Sequence, residues 1–411
     1  MANIRPFQPY RYTSKAGDAS RLVTQPYDKI SPEMQARYLA ASPYNLVRII
    51  LGERFADDDA ANNVYTRAAA YLKEWIRDGI LARDASPGFY WYTQEFEVPD
   101  TGERATRTGF IGVGKVEDYS ANVVYRHEQT LSGPKKDRLE LLRHTRAHFG
   151  QIFMLYSDPE GSVDGVLSAA AQGDPVLDVC DDYQARHQVW PVTDAAAIAR
   201  VQELMAPQKL LIADGHHRYE TALAYRKENP GAEYVMMTLV NMHSPGLRIL
   251  ATHRVLRNLE GFDEAALLRK AAEAGWSVAK LDSADALKAA MRAPRAGVVR
   301  IGLVGRESAH LLERARRAGE LDVPVLHQEL LGRALGIGEE AVREEKYIQY
   351  VRGMDAAAGE VRKKDAQIAF LLEPTPIAEM ARIAFSGGVM PQKSTDFYPK
   401  LLSGVTIYVI G

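Results

Sequence analysis

The stretch that most constrains this chain is Lys209-Leu210-Leu211-Ile212-Ala213, an apolar run that meets Asp214-Gly215 and continues into a helical pattern through Tyr219, Ala222, Leu223 and Arg226. Four to five consecutive apolar residues read as a strand buried on both faces. A strand that turns directly into a helix points the helix's unbonded N–H groups over the sheet edge, where an anion can be held. Gly215 lets the backbone take a positive φ and approach a ligand closely. Arg218 falls in the first helical turn, where a planar guanidinium can grip a phosphate at two points. A cation there opposes the helix dipole unless an anion is bound. His216 and His217 add donors, and Asp214 is a carboxylate able to hold magnesium. The turn 214–218 therefore reads as a phosphate-binding site.

A chain of 411 residues exceeds one small core and predicts two or three domains. The expected elements alternate. Residues 44–51 read as a buried strand with Asn45 and Arg48 as polar exceptions. A helix follows with Val64, Ala68, Leu72 and Trp75 on one stripe. Residues 89–98 and 107–116 form a predicted hairpin. A helix starts at Pro134, a strand covers 151–156, and 157–186 reads as a surface excursion. A helix over 194–205 leads to the strand before the turn, and 234–241 is a further strand. From about 260, Ala- and Arg-rich helices (264–274, 284–292) alternate with strands (298–304, 367–372). The run 306–317 reads as an exposed helix face. The expectation is a mixed α/β (α+β) fold: a core over 1–255 with a mixed sheet, a second α/β lobe over 256–385, and a segment 386–411 packing back on the core.

Composition narrows the function. The formal net charge is −2, which argues against a nucleic-acid partner. Cys180 is the single cysteine, so neither an internal disulfide nor a multi-cysteine zinc site can form. Asp181 and Asp182 beside it would raise its pKa. The first residues lack the apolar core of a signal peptide, and no run approaches the ~18 apolar residues of a membrane span. The expected location is the cytoplasm, without membrane attachment, and a homo-oligomer is compatible with the sequence. Gly109, Gly112 and Gly114 lack dinucleotide-fingerprint spacing.

Other positions join the candidate list. Lys393, Ser394 and Thr395 resemble the tail of a P-loop, but Gln392 stands where a glycine is required. Lys393 can still neutralise a phosphate as a point charge. His253 and Arg254 follow an apolar run, and Arg48 sits within one. All three are candidate pocket residues, as is His127.

The segment Ile212-Ala213-Asp214-Gly215-His216-His217-Arg218-Tyr219 resembles the phosphate-binding turn of the ParB/sulfiredoxin superfamily. Within that superfamily it looks most like the DGHHR turn of free serine kinases. The chain also resembles, nearly end to end, a prokaryotic family designated domain of unknown function one thousand and fifteen, often labelled ParB-like. That match includes Pro26-Tyr27-Asp28, Tyr44-Asn45-Leu46-Val47-Arg48, His127-Glu128-Gln129-Thr130, Asp137-Arg138-Leu139, Leu250-Ala251-Thr252-His253-Arg254 and Met390-Pro391-Gln392-Lys393-Ser394-Thr395.

The resemblance implies a ParB/sulfiredoxin-like core. It also implies a kinase that moves a phosphoryl group from ATP or ADP to a small hydroxy-acid or amino-acid acceptor such as L-serine. Glu128 then matches the upstream glutamate that serves as base. Catalytic roles fall to Glu128, Asp214 and His216, and Gly215, His216, His217, Arg218, Lys393, Ser394 and Thr395 contact phosphate. The alternative is a nucleotide-binding regulatory module without catalysis, acting on DNA or a protein. A metal-dependent phosphohydrolase on Asp214, His216 and His217 ranks third, because adjacent histidines in a helix do not easily share one metal.

Overall fold

The structure is a computed structural model and describes residues 1–99, 101–128, 133–293, 295–391 and 393–411. Gln129, Thr130 and Gln392, quoted above within motifs, lie outside the described residues. Two compact units emerge. The first comprises Met1–Glu97, Glu103–Leu247 and Pro399–Gly411, and the second comprises Val98–Gly102 and Arg248–Tyr398.

The first unit is built on a mixed sheet. Its strands run in the order Val124–Tyr125, Leu210–Asp214, Ile152–Tyr156, Tyr234–Asn241, Arg104–Lys115, Phe89–Glu97, Arg186–Val192, Leu177–Cys180. Leu210–Asp214 lies parallel to Val124–Tyr125 and antiparallel to Ile152–Tyr156, and Tyr234–Asn241 lies parallel to Ile152–Tyr156. Phe89–Glu97 and Arg104–Lys115 form the expected hairpin, with Trp91 opposite Phe110. Gly109 belongs to this second strand, and a Cβ there would sit 2.6 Å from the Leu239 carbonyl oxygen. Tight interstrand packing therefore accounts for that glycine.

One face of the sheet is apolar. Ile152, Met154, Ile212, Met237 and Leu239 pack there against Leu167, Val201, Met205, Tyr219 and Ala222 of three helices, Ser162–Ala170, Ala195–Met205 and His216–Glu228. Burying each large side chain contributes roughly 1.5–3 kcal/mol, which fixes the strand register and so the turn at its end.

The second unit has a six-stranded sheet whose pairings are antiparallel. The order is Ser277–Leu281, Ala309–Ala315, Val298–Val304, Ile368–Leu371, Thr252–Leu256, Ile348–Arg352. Leu267 and Ala271 of the helix Glu264–Glu273 cover one face, and Leu287 and Met291 of Ala284–Arg292 cover the other.

Three local expectations are corrected. Residues 44–51 are not a strand but hold the short helix Val47–Ile50. The Asn45 side chain accepts from the Val47 N–H at 2.9 Å, and that local bond favours a helical turn over extension. The run 306–317 is not a helix face but contains the strand Ala309–Ala315. Its charges are consumed by ion pairs, Glu313 with Arg295 and Arg314 with both Glu320 and Glu329. The excursion 157–186 contains the helix Ser162–Ala170 and the edge strand Leu177–Cys180.

Candidate functional site

Leu210, Leu211, Ile212 and Ala213 are buried, as a central strand requires. A register shift between Ile212 and Asp214 then breaks the ladder, so that Asp214 faces Phe153 of the neighbouring strand. Such a bulge re-aims the side chain at the strand's end. Gly215 follows at φ +93°, and its N–H donates to Asp214 Oδ1 at 2.8 Å. The helix His216–Glu228 begins there with no side chain capping it, and its first intrahelical bond runs from Tyr219 N to the Gly215 carbonyl at 2.9 Å.

Arg218 folds back over this turn. A Cβ on Gly215 would stand 3.0 Å from its Nε and Nη2. Its Nη1 donates to the Gln151 carbonyl, and its Nη2 is 4.0 Å from Asp214 Oδ2. Lys400 approaches the same oxygen, with Nζ at 3.3 Å. Burial alone would raise the Asp214 pKa. Lys400, Arg218, Lys29 and His216 outweigh it and hold the carboxyl well below the usual carboxylate range. The turn thus carries a permanent anion among several cations.

Arg218 also lines a small open cleft of about 70 Å³. Its lining combines the apolar Ile50, Leu141, Leu142 and Phe149 with Arg138, Gly150 and Ser403. Arg138 lies 4.0 Å above the Tyr27 ring, pairs with Asp137 and donates to the Ile50 carbonyl at 2.7 Å.

His127 is fully buried, its Nδ1 is 2.7 Å from the Ile212 carbonyl, and its ring meets His216 edge-on at 4.7 Å. A carbonyl partner fixes the proton on Nδ1. Burial pushes the His127 imidazole down to about 4, with the carbonyl bond pulling the other way. His216 is also held well below its ordinary value, by burial and then by His127. His217 is partly exposed, and its carbonyl accepts from Thr221. Glu128 is half-buried directly after His127, so the His127–His216 contact brings it to the side of the turn. Arg126 and Lys135 both pair with Glu220, and Arg138 pairs with Asp137.

The remaining sequence candidates lie elsewhere. Arg48 donates to the Leu39 carbonyl at 2.7 Å and lines a separate small cleft of about 30 Å³ with Arg67 and Tyr71. His253, Arg254, Lys393, Ser394 and Thr395 belong to the second unit. There the Leu372 N–H donates to His253 Nδ1 at 3.2 Å, and Arg254 Nη2 donates to the Lys393 carbonyl at 3.1 Å. Lys393 is exposed at φ +57°, and the Ser394 hydroxyl is turned back onto the Pro391 carbonyl at 2.6 Å.

Lys400 was not a sequence candidate, nor were Gln94 and Arg107, which fix its backbone. Gln94 Nε2 donates to the Lys400 carbonyl at 3.0 Å and Arg107 Nη2 to the Pro399 carbonyl at 2.6 Å. Arg107 is buried and lies 4.6 Å from the Phe153 ring; burial pushes its pKa down to about 9.

Among the described residues no group of three or more His, Cys, Asp or Glu side chains could by itself hold a metal ion, and no helix is long and apolar enough to cross a membrane.

A mixed α/β protein with an anion-attracting strand-to-helix turn is the class that fold and site define. The chain belongs to the family described as protein of unknown function (DUF1015), whose profile matches residues 4–332. No curated protein matches it. Solved structures similar to it include a free serine kinase in complex with AMP, at TM-score 0.37 and 14% identity over 67% of this chain and 83% of that one. A conserved hypothetical protein from Pyrococcus furiosus gives 0.36 and 14% over 68% and 89%. SbnI with a C-terminal truncation, from Staphylococcus aureus, gives 0.35 and 10% over 71% and 85%.

Proposed function

We propose that this protein binds a nucleotide through its phosphates at the turn 214–218 and moves a phosphoryl group from ATP or ADP to the hydroxyl of a small acceptor, with free L-serine the first to test. The observation that carries the reading is the Arg218 guanidinium laid against Gly215 at an uncapped helix start, where it lines the cleft. That arrangement offers backbone N–H groups, a helix dipole and a planar cation to one anion. The resemblance of the DGHHR turn to that of free serine kinases supplies the reaction class.

In this reading Arg218 and the N–H groups of the first turn orient the phosphates. Glu128 accepts the acceptor's hydroxyl proton as the new oxygen–phosphorus bond forms and the bond to the leaving nucleotide breaks. His127 and His216, neutral and buried, set the position of the Glu128 segment against the turn. Magnesium bound with the nucleotide would neutralise charge on its phosphates. A site of this kind needs only one or two protein carboxylates, and Asp214 is the carboxylate at the turn.

The test is calorimetry of the full chain with ADP and ATP, with and without Mg²⁺, followed by a transfer assay against a panel of hydroxy amino acids. Glu128→Gln should abolish turnover and spare nucleotide affinity. Nucleotide binding without any transfer would favour a regulatory module, and absence of nucleotide binding overturns the reading.

A further inference from the structure

We infer that Asp214 is a built-in competitor for the anion site: its carboxylate occupies Lys400 and Arg218 in the unliganded chain, and an incoming phosphate displaces it, which makes Lys400 a phosphate-binding residue. This rests on the phosphate-site reading above.

One carboxylate oxygen, Asp214 Oδ2, faces both cations, at 3.3 Å from Lys400 Nζ and 4.0 Å from Arg218 Nη2. A phosphate group offers several acceptor oxygens and more charge to the same pair, so it outbids a single carboxylate. The three partners differ in freedom. The Asp214 side chain is 26% exposed, Arg218 17% and Lys400 9%, so the carboxylate has the most room to swing out, at the cost of the bond it accepts from the Gly215 N–H. The backbone that carries Lys400 is anchored. Its carbonyl is held by Gln94, the preceding carbonyl by Arg107, and Ser403 bridges to Thr24 on the adjoining segment. A second observation points to a ligand at the same turn. His216 is 8% exposed, and among the described residues its Nε2 has no hydrogen-bond partner. Such an orphan costs about 1–3 kcal/mol, which a partner supplied by a ligand would relieve.

The competitor idea makes an unusual prediction: removing the acid should improve anion binding. The probe is inorganic pyrophosphate in EDTA, measured by calorimetry on the full chain. Asp214→Asn should tighten binding by about fivefold or more, and Lys400→Met should weaken it by about tenfold. Lys400→Arg should stay within about threefold of the parent, and in the double variant Asp214→Asn/Lys400→Met the gain from the Asn change should shrink, as coupled neighbours require. If Asp214→Asn binds no tighter while keeping the parent Tm, the carboxylate does not compete and the inference falls. Unchanged affinity in Lys400→Met reduces Lys400 to a partner of Asp214 and also overturns it. Should Lys400→Met fail to fold, the Asp214→Asn and Lys400→Arg results decide alone. A parent chain that binds ADP normally isolates failure of this inference from failure of the functional reading; a parent and Asp214→Asn that both bind neither pyrophosphate nor ADP sink the two together.

Discussion

The Arg218 guanidinium lies so close to Gly215 that a methyl group at position 215 would come within 3.0 Å of two of its nitrogens. The glycine is thus required twice, by its φ of +93° and by the side chain resting on it.

Gly215→Ala should therefore cost stability and displace Arg218. A non-glycine residue in the left-handed region costs about 1–2 kcal/mol. The expected outcome is a lower Tm together with loss of nucleotide affinity. A substitution elsewhere that lowers Tm equally should leave affinity intact, and parallel melting and calorimetry separate the two.

Arg218→Lys keeps the charge but loses the fork that reaches both the Gln151 carbonyl and the cleft. Affinity for ADP should fall by about tenfold or more, because a point charge cannot replace a planar bidentate donor. Affinity within about twofold of the parent would show that only charge matters at this position.

Arg107→Met should act at a distance. It removes the donor to the Pro399 carbonyl and leaves Gln94 Oε1 without its partner. Leaving these buried acceptors without their donor costs roughly 1–3 kcal/mol each. Urea unfolding should report that loss. At temperatures where the variant remains folded, pyrophosphate binding should weaken because Lys400 is no longer fixed.

Stability should also fall in mild acid. Burial holds His127 in the first unit and His253 in the second down to about 4 each. In an unfolded chain an imidazole titrates near ~6.5. Above that pH neither state takes up a proton at these groups, and their effect on stability is flat. Below it the unfolded chain gains protons that the folded chain refuses, so stability declines until the pH nears 4, by roughly 3 kcal/mol per histidine. Chemical unfolding across this window checks the sign. His127→Gln should reduce, without abolishing, the first unit's share of the slope, because buried His148 and His216 are also held low there.

The turn was legible because its signals are local: an apolar run, a glycine, then a helical period. The mixed α/β class was legible for the same reason, from alternating strand and helix patterns. Residues 44–51 misled because apolar content outweighed Asn45, whose capping bond selects a helix. The run 306–317 misled because alternating charge suits an exposed helix, yet its ion pairs are with residues brought in by the fold. Lys400 was invisible for a deeper reason. It pairs with Asp214 across 186 positions, and nothing around it in sequence marks it as more than a surface lysine.

That separation bears on how the protein comes to be competent. The strand, glycine and first helical turn can form from neighbouring residues early, since short-range structure closes fastest. The lysine arrives only when the distant segment has docked beneath Gln94 and Arg107. A partly folded molecule would hold the shape of the turn but lack its second positive charge, so capture of an anion would report that folding had finished.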